Sequence, residues 1–178
     1  MRTIFWCLVV AAISLAVLSC ADPLTSDSTQ PFRAIPIPTR ENGYSNFESI
    51  AIRSDDELNS FLRSLSMQRG WNNKAGFEVS VRDAKVDFSK EALVLLRHTE
   101  GSGSIPVEFE TPVLQARKLI FSIRGKPIPP GYLGTADMAY YCFAVAVAKS
   151  KVSQVELNSL HGFSVHRQTS IVFSIVEK

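Results

Sequence analysis

Three cysteines and three histidines carry most of the reactive chemistry available to this 178-residue chain. Cys142 beside His98, His161 or His166 would supply a thiol nucleophile and its base. A reactive thiol needs an electropositive, partly open setting. Cys142 instead stands among alanines and aromatics in AYYCFAVAVA, where a free cysteine behaves as a small hydrophobe. The histidines show no HxxxH or HxH spacing, no CxxC occurs, and His161 and His166 lie five apart across Gly162. No metal ligand set follows from such spacings. Glu108 and Glu110 would share one strand face and could form a weak calcium site, but a solvated strand face accounts for them as well. Gly101-Ser102-Gly103 lacks the Lys-Ser/Thr pair and the following helix of a phosphate loop. Ser89-Lys90-Glu91 is no acyl-enzyme motif, since Ser-x-x-Lys and Gly-x-Ser-x-Gly are both absent. The expectation is a protein with no catalytic residue, no metal and no cofactor.

Cys20 has a different chemistry. It closes an apolar run of 15 residues, Ile4 to Leu18, that follows the single charge of Arg2. A basic start, an apolar stretch and a small residue before the cleavage point make a secretory signal. As a helix the run would span roughly 22 Å at about 1.5 Å per residue, short of a bilayer core of about 30 Å. Val17-Leu18-Ser19-Cys20 resembles the lipobox of bacterial lipoprotein precursors. That resemblance implies cleavage before Cys20, lipid on its sulfur and a stable membrane tether, because several acyl chains bind far more durably than one. An uncleaved N-terminal anchor and an ordinary signal peptide without lipid are the other readings of the same segment. Ala21, rather than Asp, follows Cys20. By resemblance to the sorting rule of some Gram-negative bacteria this favours the outer membrane.

Removal of residues 1–19 leaves 159 residues, a single domain's worth. A chain of that size buries about two thirds of its surface without staples. The mature side chains carry 18 basic against 17 acidic groups, so no electrostatic footprint for nucleic acid arises. With Cys7 in the signal and Cys20 lipidated, Cys142 is left without a disulfide partner.

Residues 20–46 comprise the lipidated cysteine and a Pro/Ser/Thr-rich spacer, in which Pro31, Pro36 and Pro38 favour extended backbone, while Phe32, Ile35 and Ile37 could pack on the domain and order part of it. A single α+β domain is expected over 47–178. Ile50 and Ile52 in FESIAIR mark a strand. Ser54-Asp55-Asp56-Glu57 matches a capping box. Leu58, Phe61, Leu62 and Leu65 follow at helical spacing, which predicts the one main helix at about 55–66. The remainder reads as β. Phe77, Val79 and Val81 alternate, ALVLLRHT (92–99) suits a strand buried on both faces, and Glu100 to Ser104 carries a hairpin turn signal. Leu119, Phe121 and Ile123 alternate. In 138–149, Tyr141, Phe143, Val145 and Val147 face one way, and Cys142, Ala144, Ala146 and Ala148 the other. The small side suits close approach by another layer, the helix. Residues 152–157 form a short strand, Leu160-His161-Gly162 a turn, and 170–176 a last strand. Residues 124–137 (RGKPIPPGYLGTAD) hold too many prolines and glycines for regular structure. Within that shaped loop Pro129, Pro130, Gly131, Tyr132 and Leu133 are the candidate binding residues, because aromatics on restricted loops often meet partners. A loop that only connects two strands is an equal alternative. The fold class expected is α+β, mainly an antiparallel sheet or sandwich with the helix packed on it.

The order of DDELNSFL, then Val86-Asp87-Phe88-Ser89-Lys90-Glu91-Ala92-Leu93-Val94-Leu95, then AVAVAKSKVSQVEL resembles the C-terminal domain of the PrcB type of bacterial lipoproteins, a family named for its place in a protease complex. The resemblance spans about residues 47–157. The Thr-Gly-Gly-Tyr-like turn common in that family is replaced here by Glu100-Gly101-Ser102-Gly103. Similarity to it implies an accessory, non-catalytic module acting beside envelope proteins.

Three functions are weighed on these grounds. The first is an envelope lipoprotein, tethered through Cys20, whose domain binds a protein partner. The second is an inhibitor of a secreted peptidase that presents a hairpin or the proline loop. The third is a hydrolase using Cys142. The tether has a direct test. Mass spectrometry of the mature protein should find its N-terminus at Cys20 with a diacyl or triacyl mass. Cys20→Ser should leave the precursor unlipidated and uncleaved. An intact Met1 terminus in the wild type would return the chain to a plain anchored protein.

Overall fold

The computed structural model describes residues 30–126, 131, 135, 137–161 and 164–175, with the backbone alone over 164–169. Strands β1 (Phe32–Ile35) and β2 (Ile50–Ile52) flank a 3-10 turn at Asn42–Asn46. Helices α1 (Asp55–Ser66) and α2 (Lys74–Asp83) follow. Then come β3 (Glu91–Glu100), β4 (Val107–Phe109), β5 (Val113–Gln115), β6 (Lys118–Gly125), β7 (Ala139–Ala148), β8 (Gln154–His161) and β9 (Ser164–Ser174). The result is a β-rich α+β fold.

Two sheets form. The first has the order β1-β7-β3-β2 with antiparallel pairs throughout. The second has the order β4-β6-β8-β9, with β5 also pairing β6. Only β6 and β8 run parallel among the described pairs. The chain between them passes through β7 in the other sheet, and that long crossover is what a parallel pair requires. Alternate residues of the first sheet enter different clusters. Leu93, Leu95, Cys142, Ala144 and Ala146 share one with Leu58, Phe61, Leu62 and Leu65 of α1 and with Phe77 and Val81 of α2. Ala92, Val94, Leu96, Val145 and Val147 share the other with Leu119, Phe121, Ile123, Val155 and Leu157 of the second sheet. The all-apolar run of β3 reflects burial on both faces.

Helix α1 starts as its sequence dictates. The Ser54 hydroxyl accepts the Glu57 N–H at 3.1 Å. The Glu57 carboxylate reaches back to the Arg53 N–H at 2.6 Å, one residue beyond the usual capping-box partner. Asp55, Asp56 and Glu57 occupy the positive end of the helix dipole.

Residues 77–81 are helical, which corrects the strand expected from their alternation. Phe77 and Val81 are one turn apart and buried, while Val79 between them is 57% exposed. An apolar pair at i and i+4 is ambiguous because both periods place the two residues on one face. The cap decides it. Asn73 Oδ1 accepts the Gly76 N–H at 3.0 Å and opens α2. A Cβ on Gly76 would collide with that Asn73 side chain, so the glycine makes room for the cap.

Further expectations change. The folded body begins before Phe47: β1 pairs with β7, and Tyr44 is fully buried against Phe47, Trp71 and Phe77, so 32–46 is not spacer. The Tyr44 hydroxyl donates to the Pro38 carbonyl, and burial pushes its phenol pKa up. The Glu100–Ser104 turn closes no hairpin. It carries the chain from β3 in one sheet to β4 in the other. His161 is the last residue of β8 rather than part of a turn. The last strand starts earlier than 170, at Ser164.

The helical assignment of 74–83 separates two substitutions. Phe77→Ala should cost about 3–5 kcal/mol in urea unfolding. Val79→Ala should stay within about 0.5 kcal/mol, whereas comparable losses at both positions would restore the strand.

Candidate functional site

The inner rows of β3 and β8 are apolar at one end and polar at the other. On β3 the row runs Ala92, Val94, Leu96, then His98 and Glu100; on β8 it runs Val155, Leu157, then Ser159 and His161. Period-2 alternation puts these side chains on one face of each strand. The polar ends meet. His98 and Glu100 have no solvent-exposed side-chain surface, and His161 is 25% exposed. His98 Nε2 lies 2.8 Å from Glu100 Oε1, and His161 Nδ1 lies 3.9 Å from the same oxygen. The two imidazoles stack with centroids 5.2 Å apart and planes at 20°. His98 Nδ1 is buried and has no hydrogen-bond partner among the described residues.

This cluster is expensive to bury. A carboxyl group removed from water needs strong compensation, and His98 Nε2, at 2.8 Å, is a polar atom within hydrogen-bond distance of it. The surrounding frame is stiff. β3 and β7 are in register over the whole length from Glu91↔Ala148 to Glu100↔Ala139, which holds His98 opposite Tyr141. The Tyr141 hydroxyl donates to the Ile105 carbonyl at 3.2 Å and braces the turn beyond Glu100. Ser102 in that turn is fully buried and lies 3.0 Å from the Thr135 hydroxyl. On the β8 side the β8–β9 register breaks between Leu160 and His161. Chemically the set offers two imidazole nitrogens and a carboxylate to a proton or to a metal ion; one donor atom from each residue lies within 4.8 Å of the others.

The residues singled out by sequence lie elsewhere. Cys142 is fully buried in the cluster shared with the helices, opposite Arg97, and desolvation pushes its thiol pKa up. His98 is on the other face of the same sheet, so no Cys142–His98 pair forms. Glu108 and Glu110 do not converge: Glu108 pairs with Lys126 at 2.6 Å and Glu110 with Arg124 at 2.8 Å. Of the candidate binding loop, Gly131 is exposed with φ +83°, and Pro129, Pro130, Tyr132 and Leu133 lie outside the described residues, as do Cys20 and the side chain of His166. Metal-ligand spacings along the chain do not reveal the His98-Glu100-His161 set, because its third member comes from another sheet. A signal is present all the same: a His and a Glu at i, i+2, closing a strand that reads as buried on both faces.

Comparison with known proteins adds no relative: no family model, no curated protein and no solved structure matches this chain.

The burial of Cys142 has a measurable consequence. A thiol-directed probe should label it only after denaturation, because the thiolate is the reactive form and burial disfavours it. Rapid labelling of the native protein would revive the nucleophile reading.

Proposed function

We propose that this protein is a membrane-anchored envelope lipoprotein. Its domain, a two-sheet sandwich with the helices on one outer face, acts as a non-catalytic accessory module for a protein partner in the envelope. The observation that carries the reading is where the tether joins the fold. Ten residues, 21–30, separate Cys20 from Pro31, a reach of at most about 36 Å when fully extended. The Pro31 carbonyl accepts the Ala148 N–H at 3.0 Å, beside an open depression lined by Arg33, Lys85, Lys90, Lys149 and Lys151 against only Asp87 and Glu91. The chain as a whole is nearly neutral, so this is a local concentration of positive charge at the tethered end.

Part of that charge is structural. Arg33 pairs with Glu91 at 3.0 Å, and Lys149 Nζ donates to the Phe88 carbonyl at 2.6 Å. Lys85 is exposed, and Lys90, whose ammonium lies 3.5 Å from Asp87 Oδ2, keeps its side chain 81% exposed. Such residues face anionic headgroups when a lipid on Cys20 holds this end near the bilayer. Among the described residues no helix is long and apolar enough to cross a membrane. The lipobox and the PrcB-like phrase at 86–95 support the envelope setting, and the burial of Cys142 argues against a thiol hydrolase.

Protein lacking residues 1–20 should sediment with vesicles rich in anionic lipid at low salt and be released at high salt. Lys85→Gln with Lys90→Gln should weaken that binding between about five-fold and thirty-fold, from about 1 kcal/mol per cation near the surface with Lys90 partly offset by Asp87. Equal behaviour toward neutral vesicles would remove the membrane-facing assignment. Cross-linking in intact envelopes that repeatedly captures no protein would count against the accessory role.

A further inference from the structure

Where the inner rows of β3 and β8 turn polar, we propose a binding site for a divalent first-row transition metal ion, held by His98, Glu100 and His161. The inference is independent of the tether and of the accessory role. Its donor set is two imidazole nitrogens and one carboxylate oxygen. That is the set used by three-ligand zinc centres with an open position and by the two-His-one-carboxylate iron and manganese centres. Calcium and magnesium take oxygen ligands and are disfavoured by the two imidazoles.

The distances suit an ion of that size. Two tetrahedral ligands on zinc, each at about 2.0–2.1 Å, lie about 3.4 Å apart. The 2.8 Å from His98 Nε2 to Glu100 Oε1 and the 3.9 Å from Glu100 Oε1 to His161 Nδ1 bracket that spacing, so a small shift of the ligands is needed. One donor atom from each residue lies within 4.8 Å of the others, and the residue placed to adjust is His161. It ends β8 where the register with β9 breaks. Its partial exposure also provides the way in for the ion. His98 and Glu100 sit two apart on a strand paired along its whole length with β7 and supply a fixed half-site.

Packing alone gives no reason for these residue types. The β3 row that contains His98 and Glu100 is otherwise alanine, valine and leucine, and apolar residues of similar volume are often as stable as a buried ionic pair, or more so. Among the described residues His98 Nδ1 is buried without a partner, a cost that a purely structural histidine normally avoids. A dication would take one donor atom from each of the three side chains, with the stacked His161 ring turning out of its 20° alignment with His98 to reach it. Local rules broken at one spot of a consistent core mark a functional site.

The test uses the full chain in detergent, stripped with a chelator and titrated with zinc by calorimetry, with thermal unfolding in parallel. The expected result is one ion per chain and an unfolding midpoint that rises with zinc concentration, as ligand binding to the native state requires. Calcium and magnesium at the same concentration should leave the midpoint unchanged. Cobalt should give a visible d–d spectrum. His161→Gln should keep the midpoint of the metal-free protein and lose both the zinc-dependent rise and the stoichiometric binding. His98→Gln and Glu100→Gln should also lose binding, but they remove buried partners, so the partly exposed His161 is the deciding position. Absence of stoichiometric zinc binding by the wild type, or a His161→Gln protein that binds as tightly as wild type, would overturn the proposal.

Discussion

The pairing of β3 with β7 is the constraint on which the rest of the molecule depends. It is the longest ladder in the first sheet, and both of its faces are buried. On one face β7 contributes Cys142, Ala144 and Ala146 to the buried cluster that also holds Leu58, Phe61, Leu62 and Leu65. The other face must meet a second sheet, and β7 turns Val145 and Val147 toward it. A one-residue slip in this register would exchange the two sets and leave the helices facing valines and the second sheet facing alanines.

The same ladder controls the polar cluster. His98 and Glu100 are carried into the interior because their strand is; neither could reach solvent without breaking pairs to Tyr141 and Ala139. Their burial is a consequence of register, and it raises the energetic stake of every polar atom placed there. The aromatic group of Tyr44, Phe47, Trp71 and Phe77 plays the corresponding role on the helix side. Gly43 is part of that packing, because a Cβ there would collide with the Trp71 ring. This joins the segment before β2 to α2 and makes residues 32–46 part of the folded body.

The location of the edge strand β1 then links fold to setting. Because β1 pairs with β7 near Ala148, the chain leaves the domain beside the lysines of the β3 and β7 ends. The proposed tether at Cys20 would join the domain there, beside a basic depression. The exposed edge is short, four residues, which limits its use as a template for strand addition.

Much of this was legible along the chain wherever the determinant is local. Ser54 and Glu57 with the 58-61-62-65 spacing specify α1 within a few residues, the continuous apolar run specifies β3, and the alternation of large and small residues specifies the two faces of β7. The signal proposed for the N-terminus, with Cys20 at its end, is a linear pattern whose reading rests on sequence alone. Residues 77–81 were not legible by period, since an i, i+4 pair serves helix and strand alike, and only the Asn73 cap separates them. What the tertiary structure alone decided is non-local. The turn after Glu100 changes sheets instead of closing a hairpin, because β4 finds its partner in β6 rather than in β3. His161 comes to Glu100 from some sixty residues away, because a strand in one sheet is laid over a strand in the other. Local sequence sets which face of a strand a side chain occupies, through steric rules that act over two to four residues. Which faces then meet is set by the burial of apolar area between whole sheets, and no single segment encodes that.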